Sequence, residues 1–337
     1  EMTSSLVGSE MCIRDRYNGI KYIYGFSATK EKICEEYLFH YPKGSKAQVF
    51  KRTGQEFSFI QNKAFKQLIS KAVAENQLYF SVANTMNESV CTEAMKFFTE
   101  SIVFSREFED IPGQIRFNYN NNNVLKSMKQ YAQRADVGII DMKFDMKNTE
   151  IDVDDTIPEN APPELSRALK SFVSALSDNS QAKIQRNEIK ARTYHTGVNK
   201  KGELGQYELS LEDESDGTHR LMALAPAIDR VIDNGGIFVA DELEKGLHPL
   251  LTEYIVNKFQ NSEINKNHAQ LIFTTHDTEI MRQHFLDADQ FYFVDKDRQT
   301  GESELYSVDG LGKKSNADIR TGYLIGKFGG IPELGDE

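Results

Sequence analysis

The sequence has few cysteines and no long apolar run, and each shortage excludes a class of protein. The three cysteines, Cys12, Cys34 and Cys91, form neither a CxxC pair nor an even framework, which argues against a disulfide scaffold or a zinc site. The longest apolar stretches, at 235–240 and 271–275, are far shorter than the ~20 residues that a membrane-spanning helix needs. We expect a globular, cytoplasmic protein of 337 residues with no membrane span.

Basic residues are also in short supply, since 40 Lys and Arg face 51 Asp and Glu and the formal net charge is −11. A nucleic-acid contact would therefore need a local basic patch, because the field of the whole molecule repels phosphates. Residues 1–16 lack the features of a signal peptide, since Glu10 interrupts their apolar stretch. Their string SLVGSEMCIRDR is typical of a translated adapter fragment. We expect 1–16 to be a non-native or disordered leader, with native sequence starting near Tyr17 and a truncated N-terminus.

Two regions follow the leader and differ in the periodicity of their apolar residues. Over 17–62, aromatic and aliphatic residues alternate with polar ones around a Thr53-Gly54 turn, which predicts an antiparallel β lobe. Over 63–180, helical periodicity predicts a mainly helical region. This region also holds a predicted strand at 138–146 and an acidic, proline-rich linker at 147–163, which we interpret as solvated.

Two further expectations concern the helical region. Pro163 lies near the first turn of a predicted helix that follows the linker. The aromatic residues Phe97, Phe98 and Phe104 are expected to belong to the core and not to a partner-binding surface.

The last region, 181–337, is expected to form a C-terminal lobe. It opens with a predicted strand pair, 183–196 and 206–214, joined by a turn at 200–202. The pattern then predicts helix 218–233, strand 236–240, helix 249–260, strand 269–275, helix 278–286 and strand 290–295. Such alternation is typical of a parallel α/β sheet.

The strand predicted at 236–240 ends in two adjacent carboxylates, Asp241 and Glu242. Functional groups of parallel sheets collect at the carboxyl ends of the strands. In a nucleotide hydrolase the first acid holds Mg²⁺ and the second orients the water that attacks the γ-phosphate. A strand that ends in a solvated, acid-rich turn is the alternative interpretation.

The next predicted strand, 269–275, ends in His276, about 35 residues after Asp241, and this spacing leaves room for one helix between two neighbouring strands. His276 is therefore expected at the same sheet edge as Glu242, where an imidazole can contact a γ-phosphate. The alternative is a histidine that caps the following helix, although Asp277 is equally placed for that role.

A third motif precedes the helix predicted at 218–233. Ser215, Asp216, Gly217 and Thr218 form a small, polar turn at its start. The free N–H groups of a helix N-terminus attract anions, and a glycine lets the backbone approach a ligand closely. Ordinary helix capping explains the same residues when the motif is taken alone.

The order of these motifs carries a family resemblance. The strings ESDGTHRL, FVADELEKGLHP and FTTHD resemble those of ABC-type ATPases of the SMC, recombination-repair and OLD-like group, above all the stand-alone AAA family ATPases. The C-terminal segment GYLIGKFGGIPEL and the early segment GIKYIYGFSATKEKICEEYLFHYPKG also resemble sequences of this family. The resemblance implies a P-loop NTPase-like α/β sheet of ABC ATPase type, with an antiparallel β lobe and an inserted helical region. It further implies ATP and Mg²⁺ as ligands and a homodimer that closes on ATP.

The resemblance also implies roles for individual residues. Ser215 and Gly217 match the signature motif, which contacts the γ-phosphate of ATP held by the opposite subunit, with Asp216 and Thr218 in the same turn. Asp241 matches the Walker B magnesium ligand, Glu242 the catalytic carboxylate and His276 the switch histidine. The Leu247-His248 turn occupies the D-loop position, where subunits of such ATPases meet.

One family motif is missing from the printed chain. No GxxxxGK[ST] occurs: the segment 310–315 lacks the glycine spacing, and Gly326-Lys327 is followed by Phe328. In the family this phosphate-binding loop precedes the β hairpins. We therefore expect the fragment alone to bind ATP very weakly and not to hydrolyse it.

Other functions stay open at this stage. Asp241, Glu242, His248 and His276 are also candidate ligands of a metal-dependent nuclease or phosphatase. A non-catalytic interaction module is a third interpretation. For the ATPase, family analogy alone indicates DNA repair or phage defence, with a nuclease or other effector as partner.

Overall fold

The computed structural model describes residues 9–108, 110–135, 138–152, 183–297, 299–308 and 316–331, and six single positions between 162 and 171. Its strands are β1 Ser9–Tyr17, β2 Ile20–Ala28, β3 Ile33–Tyr41, β4 Ala47–Thr53, β5 Glu56–Ser58, β6 Ile102–Phe104, β7 Ile139–Asp152, β8 Lys183–Val198, β9 Leu204–Ser210, β10 Ile237–Ala240, β11 Gln270–Phe273, β12 Tyr292–Lys296 and β13 Ser303–Ser307. Its α-helices are α1 Lys63–Ser70, α2 Tyr79–Thr85, α3 Ser89–Lys96, α4 Ile111–Asn118, α5 Asn122–Ala135, α6 Asp216–Asn234, α7 Pro249–Gln260 and α8 Asn316–Leu324. The helix predicted after Pro163 and most of the acidic linker lie outside the described residues.

The antiparallel lobe is a five-stranded sheet in the order β1-β2-β3-β4-β5, and its last hairpin turns after Thr53. The lobe starts earlier than expected, because β1 pairs with β2 along its whole length, from Ser9 opposite Ala28 to Tyr17 opposite Ile20. Residues 9–16 are thus the outer strand of the sheet and not a disordered leader. Residues 1–8 lie outside the described part of the chain.

Helices α1, α2 and α3 cover one face of this sheet and enclose an aromatic core. Inside it, the buried Glu36 carboxylate accepts hydrogen bonds from Tyr79 N–H at 2.7 Å and Phe80 N–H at 2.9 Å, at the start of α2. The Arg52 guanidinium lies 3.6 Å from the same carboxylate. Burial raises the pKa of Glu36, and the two N–H donors oppose that rise. A second buried ion pair joins Lys66 of α1 to Glu88 at 3.6 Å.

A three-stranded parallel sheet in the order β11-β10-β6 forms the centre of the α/β part. Its third strand, β6, lies within the region that was predicted to be mainly helical. The sequence did not predict this strand because three residues are too few to establish a strand period. Phe97 is buried as expected, but Phe104, at the end of β6, is 40% exposed, so the expectation that it belongs to the core is wrong.

The strand predicted at 290–295 is placed differently as well. It corresponds to β12, which pairs antiparallel with β13 in a separate hairpin and is not part of the parallel sheet. The helix predicted at 278–286 is reduced to a 3-10 helix, Thr278–Arg282, and the backbone of Gln283 is extended. Ile280, in this turn, and Leu286, in the segment after it, are both buried in the main core. The apolar pattern of the sequence is thus satisfied without a longer helix.

A third sheet, in the order β7-β8-β9, is antiparallel. Strand β7 continues to Asp152, so residues 147–152 are paired with β8. The expectation that these six residues begin a linker is therefore wrong. The predicted strand pair around the turn at 200–202 is present as β8 and β9.

A polar cluster joins three helices around the parallel sheet. Asp229 of α6 accepts hydrogen bonds from Ser127 Oγ at 2.5 Å and Tyr131 Oη at 2.8 Å, both on α5. Lys258 of α7 donates to the same carboxylate at 2.7 Å. The cluster fixes α5 and α7 against α6, whose N-terminus lies beside the segment that follows β10. Within the described residues no helix is long and apolar enough to cross a membrane.

Candidate functional site

The two adjacent acids lie at the carboxyl end of β10, next to the end of β11. Beyond the strands, the β10–β11 pairing continues, because Thr274 N–H donates to Ala240 O at 3.0 Å and Leu243 N–H donates to Thr274 O at 3.1 Å. The Thr274 hydroxyl donates to Asp241 Oδ1 at 2.6 Å and accepts from Glu242 N–H at 2.8 Å. One threonine thus fixes the position of both acids. No sequence pattern had indicated this role for Thr274.

Glu242 has an unusual backbone conformation. Its φ of 47° lies in the left-handed region, which a residue with a side chain seldom adopts. Glu242 Oε1 lies 3.6 Å from His276 Nε2, and the two side chains are 46% and 86% exposed. The carboxylate and the imidazole therefore meet at an open edge of the sheet where a ligand can reach both. Strained backbone of this kind is concentrated at functional sites.

The backbone of His276 is held from the segment after β10. Its N–H donates to Glu244 Oε1 at 2.8 Å. The following 3-10 helix is capped by Asp277, whose Oδ1 accepts from Glu279 N–H at 2.9 Å. Asp277 thus occupies the capping role that was the alternative interpretation of His276, and the imidazole is left directed at Glu242.

The signature turn, Ser215–Thr218, caps α6. Ser215 Oγ accepts from Thr218 N–H at 3.2 Å and lies 2.9 Å from the Thr218 hydroxyl. Thr218 is buried, whereas Ser215 and Asp216 are exposed. A Cβ atom at Gly217 would lie 3.0 Å from Gly246 O, closer than an ordinary contact, so the turn packs tightly against the backbone directly before Leu247-His248. The structure therefore shows the capping role, and it brings this turn beside the segment for which the sequence predicts a D-loop.

His248 lies apart from this group and caps α7. Its Nδ1 accepts from Leu250 N–H at 3.2 Å, and Pro249 occupies the first helical position. Among the described residues, no three His, Cys, Asp or Glu side chains are arranged as a metal-ligand set. This geometry does not support the four-ligand nuclease site considered from the sequence.

Three basic side chains that the sequence analysis did not single out line a cleft of about 270 Å³ beside the two acids. They are Arg106, which follows β6, Arg220 in α6 and Lys245 in the segment between β10 and α7. Each comes from a different element, so no sequence spacing links them. Guanidinium and ammonium groups beside carboxylates form a surface that suits a phosphate group with its counter-ion.

The comparison with known families matches most of the chain. A family model described as "AAA domain, putative AbiEii toxin, Type IV TA system" covers residues 7–282. The chain belongs to this AAA-domain family. Membership confirms the expected relationship to the ABC-type AAA ATPases and the α/β fold of P-loop NTPase type. The AAA domain is accordingly an ATPase domain of the AAA/ABC group, a group that binds nucleotides.

Other comparisons add less about the AAA domain. Among curated proteins, none matches it. A solved structure titled "Structure of the recombination mediator protein RecF-ATP in RecFOR pathway" is similar at 11% sequence identity, over 86% of this chain and 80% of that chain, with a TM-score of 0.26. So low a TM-score supports no transfer of site residues.

Proposed function

We propose that this AAA domain binds and hydrolyses ATP at the carboxyl edge of its parallel sheet, and that two copies close on the nucleotide. The observation that carries the proposal is the approach of Glu242 Oε1 to His276 Nε2 at 3.6 Å, directly beside Asp241. A carboxylate that accepts a proton from water and an imidazole that contacts the γ-phosphate are the side chains that this hydrolysis needs at that edge.

Asp241 has the chemistry of a magnesium ligand. Carboxylate oxygens are the donors that Mg²⁺ prefers, and the exposed Asp241 side chain gives one oxygen to Thr274 and leaves the other open to the cleft. When bound there, Mg²⁺ supplies positive charge to the phosphate oxygens. Glu242 then orients the attacking water, and His276 contacts the phosphate that leaves.

Charge balance supports a phosphate in the same cleft. ATP adds negative charge to a site that already holds Asp241 and Glu242, and one magnesium ion cannot neutralise all of it. Arg106, Arg220 and Lys245 line the cleft with these acids and supply further positive charge. We propose that they contact the phosphate groups.

The signature turn is proposed to act on a second copy. Ser215 exposes its side chain at the N-terminus of α6, where N–H groups of the first turn that Ser215 does not cap favour an anion. The turn packs against the D-loop through Gly217 and Gly246, so both motifs lie on one surface. In a two-fold dimer that surface meets its own copy, which brings Ser215 to the γ-phosphate held by the partner subunit.

The biological process is proposed from the family alone. The family description names a toxin of a type IV toxin–antitoxin system. We propose that ATP-driven dimer closure operates an effector partner, such as a nuclease, in phage defence or DNA repair. With a net charge of −11, nucleic acid would be contacted through that partner or a local patch.

The proposal is tested by measuring Mg²⁺-dependent ATP hydrolysis for this chain and for a form extended at its N-terminus by the residues encoded upstream. Since the printed chain has no GxxxxGK[ST], we expect hydrolysis only in the extended form. Absence of hydrolysis in both forms would contradict the proposal. Metal-dependent cleavage of DNA without ATP would instead favour a nuclease.

A further inference from the structure

A buried polar cluster lies directly before the signature turn. Thr193 and His195, on β8, and Glu214, the residue before Ser215, are 0%, 4% and 9% exposed. Glu214 Oε1 accepts a hydrogen bond from the Thr193 hydroxyl and lies 2.7 Å from His195 Nε2. His195 Nε2 also lies 3.2 Å from Thr193 Oγ1. Two side chains of β8 thus converge on one carboxylate oxygen of Glu214, and the proposed chemistry uses none of the three residues.

The neighbouring strand β9 fixes the imidazole. The Tyr207 ring stacks on His195 with centroids 5.3 Å apart and planes 18° apart. A Cβ atom at Gly197 would lie only 2.7 Å from the Tyr207 ring, so the tyrosine occupies space that glycine leaves. A second contact joins the His219 ring of α6 to Leu211 O, in the residue that directly follows β9. The β7-β8-β9 sheet is therefore attached to the start of α6 on both sides of Ser215.

The backbone connects this cluster to the direction of the Ser215 side chain. Glu214 and Ser215 are both extended, with ψ of 161° and 152°. With φ of −76° and −68° both residues have polyproline II geometry, in which successive side chains point about a third of a turn apart. Because Glu214 is held inward by Thr193 and His195, Ser215 is directed outward to solvent, where its Oγ accepts from Thr218 N–H.

We propose that Glu214 and His195 are positioning residues for Ser215, and that the β7-β8-β9 sheet sets the geometry of the signature turn through them. The functional value of this geometry rests on the proposed role of Ser215 towards ATP. The geometry itself is a property of the chain without nucleotide. Displacement of the sheet, for instance by a protein bound to it, would then move the signature turn.

The inference is tested by amide hydrogen exchange on the chain without nucleotide. In Glu214→Leu and His195→Leu, the Thr218 and His219 amides of the first turn should exchange about fivefold faster, the factor that corresponds to the ~1 kcal/mol cost of losing a helix cap. Amides of β10 should change much less. Thr193→Val, which removes one hydroxyl at constant shape, should show the same selective effect more weakly, and it decides the question if the other variants do not fold.

The matched control is Glu88→Gln, which changes another buried carboxylate, 2% exposed and paired with Lys66 in the antiparallel lobe. It should lower the thermal midpoint without selectively accelerating exchange at Thr218 and His219. Equal acceleration at the first turn and at β10 in Thr193→Val and His195→Leu would overturn the inference, because that result indicates a merely structural role. Failure of the N-terminally extended form to bind ATP would count against the proposed function and leave the exchange result intact.

Discussion

The Thr274 hydroxyl donates a hydrogen bond to Asp241 Oδ1 at 2.6 Å, across two parallel strands. The Thr274 hydroxyl oxygen also accepts a hydrogen bond from Glu242 N–H, so the two acids share one anchor. A magnesium ligand and a catalytic base have to be held at a fixed separation for hydrolysis, because small displacements of reacting groups are costly. The hydroxyl of Thr274, the residue directly after β11, thus couples the two proposed roles.

Thr274→Val removes this hydroxyl at nearly constant shape. In the form of the protein that hydrolyses ATP, we expect the rate to fall about tenfold or more, since hydrogen bonds to charged groups contribute ~1.5–3 kcal/mol. Thr274→Ser keeps the hydroxyl and should retain most of the activity. Steady-state hydrolysis of the two variants measures the difference, and equal rates would contradict the shared anchor.

Glu242→Gln tests the catalytic carboxylate. The amide keeps the size of the side chain but cannot accept a proton from the attacking water. In the form of the protein that hydrolyses ATP, we expect hydrolysis to be abolished while ATP binding persists, so that ATP traps a dimer. Size-exclusion chromatography with and without ATP, beside a hydrolysis assay, measures both properties. Normal hydrolysis in this variant would show that the Walker B assignment is wrong.

Sequence reasoning placed Asp241, Glu242 and His276 at one edge because each follows an apolar strand and one helix separates the strands. The pairing of β10 with β11 and the distance between Glu242 and His276 agree with that logic. Motif order, moreover, indicated the family that the chain belongs to. These features are local in the sequence or depend on strand order alone.

Other features depend on tertiary contacts that no local pattern encodes. Arg106, in the turn after β6, and Arg220, in α6, line the same cleft although they are more than 100 residues apart in the sequence. Strand β6 is three residues long, too short for a period, and is identified only by its pairing with β10. His195 and Glu214 meet because β8 runs beside the start of α6. A single histidine in a predicted strand does not indicate which carboxylate it will contact.

Arg220→Gln tests the proposed phosphate contact. A charge-assisted hydrogen bond to a phosphate contributes ~1.5–3 kcal/mol, so in the form of the protein that hydrolyses ATP we expect the nucleotide to bind about tenfold more weakly or worse. Arg230→Gln, an exposed position on the same helix, is the matched control and should leave the affinity unchanged. Titration calorimetry with ATP and Mg²⁺ measures both variants, and equal affinities would exclude Arg220 from the phosphate site.

Lys66→Met tests the buried pair in the antiparallel lobe. Removal of the ammonium leaves the Glu88 carboxylate buried, 2% exposed and without its cation. We expect the free energy of unfolding to fall by ~3 kcal/mol, because a buried charge that loses its partner is strongly destabilising. Adding Glu88→Gln should restore part of the loss, since the neutral amide oxygen can still cap Cys91 N–H. Urea denaturation of the single and double variants measures this recovery.

Gly217→Ala tests the contact between the signature turn and the D-loop. A Cβ atom at this position would lie 3.0 Å from Gly246 O, a backbone atom that cannot rotate away, so one of the two segments has to move. We expect a loss of ~1–3 kcal/mol in stability, as for other overpacked sites, and weaker ATP-dependent dimerisation. Gly205→Ala in β9 is the control, because its Cβ would meet nothing within 4 Å, and it should change stability by less than about 0.5 kcal/mol. Thermal melts of both variants decide the point: if Gly217→Ala is as stable as Gly205→Ala and still dimerises with ATP, the two motifs do not depend on this close packing.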